Sequence, residues 1–138
     1  MILLDTSVIS TVLRRRRRGA REEALAGRVA ALLESDQQVA LPGIVLQELL
    51  SGIEDRVQHE RLLAAVRASF PVVLATEGDH LKAADLVSAA AGRGIALSTP
   101  DALIAAQVLN RRASLFTTDD DLGMLAKLAG LKLLSRDV

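Results

Sequence analysis

The chain has no cysteine, no tryptophan and no tyrosine, and only two phenylalanines, two histidines and three prolines among its 138 residues. Without cysteine there can be no disulfide, no thiolate metal ligand and no thiol nucleophile. Any metal must be held by oxygen or histidine, and the composition suits a reducing compartment. So few aromatic rings exclude a stacking platform for single-stranded bases, so a nucleic acid would have to be gripped by its phosphates. No apolar run reaches the ~20 residues of a membrane-spanning helix. The opening MILLDTSVIS carries Asp5 early and shows neither a basic leader nor a small-residue cleavage site, unlike a signal peptide. A soluble, cytoplasmic protein is the expectation. Excess charge of one sign is also missing: 17 basic side chains balance 17 acidic ones, so net charge points neither toward nucleic acid nor away from it.

What is present is apolar patterning. Half of the residues are hydrophobic, which suits one compact domain over residues 1–138. MILL reads as a short buried strand ending at Asp5, and TSVISTVL continues with a helical repeat. EEALAGRVAALLES is an amphipathic helix, QQVAL a short strand, and Pro42 marks the start of a helix over PGIVLQELLSGI that carries Glu48. A polar helix over roughly 54–69, a strand at FPVVLA and a helix over about 77–92 follow. In STPDALIAAQVLNRR, Ser98 or Thr99 caps a helix, with Pro100 and Asp101 in its first turn. ASLFTTDDDLGMLAKLAGLKLL gives strand, acidic turn, helix and final strand. Strands alternating with helices predict a mainly parallel sheet flanked by helices. In such sheets the residues just after strand C-termini converge on one crevice. Asp5 and the run Asp119 to Asp121 hold such positions, and Asp101 and Glu48 are within reach of the same rim.

Each acid has an ordinary structural use. Asp5 can cap the first helix, Asp101 can complement a helix dipole, and Asp119 to Asp121 can form a capping box with Thr117 or Thr118. Glu48 is harder to explain. At 100° per residue it projects between Ile44 and Val45 rather than among Gln47 and Ser51, which predicts an edge-buried carboxylate with a partner. Four carboxylates in one crevice repel one another and raise one another's pKa unless a cation sits among them. An oxygen-only donor set favours Mg²⁺ or Mn²⁺ over zinc, and that equipment suits hydrolysis of a phosphodiester by activated water. His59 and His80 lie in polar helical surroundings with no ligand spacing and read as surface residues.

Taken in order, ILLDTSVIS, LPGIVLQELLSGI, TPDALIAA and LFTTDDDL resemble the PIN-domain ribonucleases, specifically the VapC-type toxins of bacterial toxin–antitoxin pairs, over essentially the whole chain. The resemblance implies a three-layer α/β/α sandwich and Asp5, Glu48, Asp101 and Asp119 as the catalytic, metal-binding acids, with Asp5 and Asp101 as direct ligands of Mg²⁺ or Mn²⁺. Asp119 is the acid of the family's T-x-D setting, here Thr117, Thr118, Asp119. Asp121 matches a recurrent acidic position two residues on, although Leu122 stands where the family usually has an aromatic residue. Ser7 and Thr117 match hydroxyls that support the site by hydrogen bonding. The resemblance also implies a homodimer, a cognate VapB-like antitoxin forming a heterotetramer or larger assembly, and an RNA substrate.

Other readings stay open at this level. A catalytically silent PIN-fold adaptor for RNA or protein would be expected to have lost acids, whereas all four remain. A haloacid-dehalogenase-type phosphatase needs an aspartate where Ser7 stands, and a receiver domain needs a lysine near the last strands where Lys127 and Lys132 are poorly placed. The basic run Arg14, Arg15, Arg16, Arg17 and Arg18, with Arg21 and Arg28 beyond, either neutralises RNA phosphates or is a solvated helix end that favours the dipole.

Overall fold

The structure, a computed structural model, describes residues 1–13 and 19–134; the arginine run from Arg14 to Arg18 lies outside them. Four short strands, β1 (Ile2–Leu4), β2 (Val39–Pro42), β3 (Val72–Val73) and β4 (Ser114–Phe116), form one parallel sheet in the order β3-β2-β1-β4. Every residue of β1 and β2 is buried, as expected of parallel strands covered on both faces, which read as continuous apolar runs rather than alternating ones. The helices are α1 (Thr6–Val12), α2 (Ala20–Glu34), α3 (Gly43–Leu50), α4 (Arg56–Ser69), α5 (Glu77–Ala91), α6 (Thr99–Asn110) and α7 (Asp120–Ala129). They complete a three-layer α/β/α sandwich. None of them is long and apolar enough to cross a membrane. The core joins Leu3, Leu4, Leu41 and Leu115 of the sheet to Val8, Val29, Val45, Ile104 and Leu125 of the helices.

The chain steps outward from β1 to β2 to β3, then returns to place β4 on the other side of β1. The strand order therefore reverses between β1 and β4. Outside the C-terminal ends of those strands the connecting segments diverge and leave a crevice, the usual ligand position in open α/β sheets. Asp5 follows β1 and Thr117 follows β4, so both line that crevice by topology alone. The expected final strand is reduced to one bridge, Leu115 to Leu133. The α7 helix ends at Gly130 in the left-handed conformation, φ 70°, and the chain turns back so that the Lys132 carbonyl accepts from the Leu115 N–H and the Leu134 N–H donates to the Leu115 carbonyl, each at 2.8 Å. Pro42 has two tasks, as the last residue of β2 and as the N-cap of α3; its fixed φ suits both.

The α6 helix is anchored by a buried ionic network. Asp79, 1% exposed, closes a capping box with Thr76 at the start of α5. Its two oxygens also accept from Arg111 Nη1 at 3.1 Å and Nη2 at 3.0 Å, and Oδ1 accepts from Asn110 Nδ2 at 2.9 Å. Burial alone would push this carboxyl up, but the Arg111 guanidinium, the Thr76 N–H and the Asn110 amide outweigh it and hold it down at about 2. The start of α5 is thereby clamped to the C-terminal end of α6. Gln107, fully buried one turn earlier, adds a bond from Nε2 to the Val73 carbonyl at 3.0 Å.

Candidate active site

Asp5 is the N-cap of α1 in extended conformation but makes no side-chain cap bond. Its backbone is fixed on both sides: the N–H donates to the Phe116 carbonyl at 3.0 Å, and the carbonyl accepts from Val8 and Ile9 at 3.1 and 3.2 Å. The side chain is left to turn into the crevice, where it is 3% exposed. Its Oδ2 accepts from Ser7 Oγ and from Thr117 Oγ1, each at 2.7 Å. Ser7 Oγ accepts from the Thr118 N–H at 3.0 Å, and Thr117 Oγ1 from the Asp119 N–H at 3.0 Å. Two hydroxyls thus knit the β1–α1 junction to the β4–α7 junction, the support expected of Ser7 and Thr117. Both act on one oxygen of Asp5; among the described residues Oδ1 carries no hydrogen bond.

Asp119 is the N-cap of α7, with Oδ1 accepting from the N–H groups of Asp121 and Leu122 at 2.8 and 3.1 Å. The capping use and the crevice position therefore hold together in one residue. Asp121 gives its N–H to that cap and its side chain is exposed; no hydrogen bond joins its carboxylate to Asp5, Ser7 or Thr117 among the described residues. Leu122 is fully buried and fills, without a ring, the place that the motif usually gives an aromatic side chain.

Asp101 is the third residue of α6, behind the N-cap Ser98, whose Oγ accepts its N–H at 3.2 Å. Burial is the largest influence on the Asp101 carboxyl and pushes it up. Ser98 draws it down, and the charges of Asp119, Asp5 and Glu48 each push it up again, to about 6. Three acids from three other segments act on this one group, so the four carboxylates named from sequence converge. Glu48 differs from expectation in one respect: it is exposed rather than edge-buried. Its angular position between Ile44 and Val45 holds, but Val45 is the one fully buried residue of α3, so the border of its packing face stays open to solvent. Its partner is Thr6, whose Oγ1 donates to Glu48 Oε1 at 2.8 Å.

The donor set suits a hard divalent cation. As the side chains stand, no three of them among the described residues enclose one. Mg²⁺ does not need that, since it retains several waters and commonly takes only one or two carboxylates. The mutual repulsion recorded at Asp101 is the charge imbalance that such a cation offsets. His80 is exposed, as expected; His59 is half-buried, with an Nδ1 shielded from solvent and unpartnered among the described residues. Beside Thr118 a cavity of about 290 Å³ is lined by Thr11, Arg21, Glu22 and Leu25. Two turns along α2, the Arg28 guanidinium lies 5.0 Å from the centre of the Phe116 ring.

The residues missed from sequence are Thr6 and the pair Asp79 and Arg111. Thr76 followed by Asp79 is a capping-box pattern that could have flagged the acid. No local signal reveals that Glu48 returns over Thr6.

The PIN domain family model matches residues 2–131. No curated protein matches the sequence. Among solved structures, FitAcB from Neisseria gonorrhoeae is similar at 26% identity with a TM-score of 0.78, covering 99% of this chain and 98% of that one. VapBC2 from Rickettsia felis, bound to a DNA fragment from its promoter, is similar at 18% identity and TM-score 0.77, covering 97% and 98%. A toxin–antitoxin complex from Klebsiella pneumoniae is similar at 21% identity and TM-score 0.67, covering 99% and 98%.

Proposed function

The chain belongs to the PIN domain family, and from that premise we propose that it is a metal-dependent endoribonuclease of the VapC toxin type, inhibited by a cognate VapB-like antitoxin. The observation that carries this reading is the convergence of Asp5, Glu48 and Asp119 on Asp101 at the reversal point of the sheet. Asp5, through the oxygen not held by Ser7 and Thr117, and Asp101 are the residues that would hold Mg²⁺ or Mn²⁺; Glu48 and Asp119 complete the donor set and orient the attacking water. When bound, the cation supplies charge to offset the developing negative charge on the phosphoryl oxygens and makes water a competent nucleophile at neutral pH. The chain's own part is to fix Asp5 by two hydroxyl bonds and to keep Asp119 and Asp101 at helix N-termini. Arg21, in the cavity beside Thr118, offers a cation for the RNA backbone.

The Klebsiella pneumoniae relative, a toxin–antitoxin complex, supports a partner of that kind here. The assembly we propose is a homodimer of a single-domain chain in the cytoplasm, joined by antitoxin into a heterotetramer or larger particle. Purified protein is expected to cut structured RNA with Mg²⁺ or Mn²⁺ and to stop when EDTA is added. The same metals are expected to raise the melting temperature by several degrees, since saturation at ~100 times Kd adds about 2.7 kcal/mol. RNA binding without cleavage and without a metal-dependent shift would instead identify the silent adaptor.

A further inference from the structure

Glu48 is exposed, and the hydrogen bond from Thr6 is the contact that ties its carboxylate to the rest of the site. Asp5 is held by two hydroxyls and a buried backbone, Asp101 sits in a capped first turn, and Asp119 is the cap of α7. Glu48 projects from the exposed side of α3, and no lysine or arginine pairs with it among the described residues. A glutamate carries three side-chain torsions, and ordering such a chain costs conformational entropy. Its charge and that of Asp101 also repel each other across the site. Against these stands the 2.8 Å bond from Thr6, reaching across 42 positions of sequence.

On the nuclease reading given above, we propose that Thr6 is a positioning residue: its hydroxyl holds Glu48 Oε1, so that Oε2 is the oxygen turned toward the cation or the attacking water. Three consecutive residues then organise the site from one turn of chain. Asp5 supplies a carboxylate, Thr6 orients the acid arriving from α3, and Ser7 links Asp5 to the segment after β4. The first turn of α1 sets the backbone spacing, so that hydroxyls at successive positions diverge by about 100° and serve different neighbours. The methyl group of Thr6 and its β-branching restrict its rotamers, which makes the hydroxyl a more defined donor than a longer side chain would be.

Thr6→Val keeps the branched shape and removes the donor. With wild-type protein binding Mn²⁺ and cutting RNA, Thr6→Val is expected to weaken Mn²⁺ binding, read by calorimetry or by the Mn²⁺-induced melting shift, by roughly tenfold or more, the usual effect of losing an outer partner of a metal ligand. It should lower kcat with little change in KM for RNA, and leave the metal-free melting temperature close to that of wild type. Thr6→Ser should restore both Mn²⁺ affinity and kcat. In a Glu48→Gln background the Thr6→Val change should have little further effect on Mn²⁺ affinity, because the pair acts as a unit. Wild-type affinity and kcat in Thr6→Val would overturn the positioning role while leaving the nuclease reading intact; equal losses in Thr6→Val and Thr6→Ser, or additive losses with Glu48→Gln, would overturn it as well. If wild-type protein itself shows no Mn²⁺ response and no cleavage, the nuclease reading fails first and the proposal with it. Should Thr6→Val fold too poorly to assay, Thr6→Ala is measured against the same limits.

Discussion

Asp101→Asn is expected to abolish RNA cleavage while making the metal-free protein more stable. The two effects have one cause. Asp101 is the carboxyl on which the other three acids act, and its pKa is pushed up to about 6 by burial and by Asp119, Asp5 and Glu48. A group whose folded-state pKa lies above its unfolded value binds its proton more tightly in the fold, so its ionised form subtracts stability. That penalty is fully present above about pH 6 and is relieved as the pH falls toward the ordinary aspartate value of 3.8. The amide removes the charge but keeps the shape. At pH 7 to 8 the metal-free variant should therefore melt above wild type, by an amount that solvent screening of this half-buried group keeps to about 1 kcal/mol, and the two should coincide near pH 4. With Mn²⁺ the order should invert, because the cation stabilises wild type by linkage and has lost a donor in the variant. Cleavage should fall by more than the roughly 100-fold that loss of an outer-shell partner costs. Melting curves at four pH values, with and without Mn²⁺, check the first part, and fragment yields from one RNA check the second. Identical metal-free stability across that range would mean that the four acids do not repel one another.

How much of this was legible in the sequence depends on whether the deciding interaction is local. The strand ending at Asp5, the capped start of α6 and the strand–turn–helix around Asp119 are fixed by apolar periodicity and by capping chemistry within a few residues. All three stand in the structure. The parallel sheet followed from alternation of strands and helices, and the convergence of the acids followed from the sheet. The exposure of Glu48 was not legible. A helical projection relates a residue to its own helix and says nothing of what the rest of the fold lays over it. The bond from Thr6 to Glu48 and the pairing of Arg111 with Asp79 span 42 and 32 positions, and no periodicity encodes them. The last strand shrank to the Leu133 bridge because an apolar stretch states only that it must be covered. Gly130 at positive φ, together with the short β4, decides how much of it pairs.

The network of Asp79 and Arg111 carries the second large effect, on stability rather than chemistry. Arg111→Met should destabilise the protein by about 3–5 kcal/mol, the cost of leaving one buried charge without its partner. The Asp79 side chain is 2% exposed and that of Arg111 22%, so little water can take the guanidinium's place. The loss should depend on pH in a defined direction. In wild type the depressed pKa, about 2 against the ordinary 3.8, adds stability that is present above about pH 4 and disappears as the pH falls toward 2. In the variant, burial acts on Asp79 without the guanidinium, so the carboxyl takes up its proton at higher pH and the uncompensated charge vanishes sooner. The gap between wild type and Arg111→Met should thus narrow between pH 7 and pH 3, as urea denaturation at the two pH values would show; a gap constant in pH would mean that the guanidinium contributes packing only. Activity should respond differently. Arg111 lies ten residues along from Asp101, about 15 Å at the helical rise, and touches none of the four acids. The folded fraction of Arg111→Met should cut RNA as wild type does, with activity lost only where the protein unfolds. A fall in kcat at temperatures where it remains folded would instead show that the clamp at one end of α6 sets the position of Asp101 at the other.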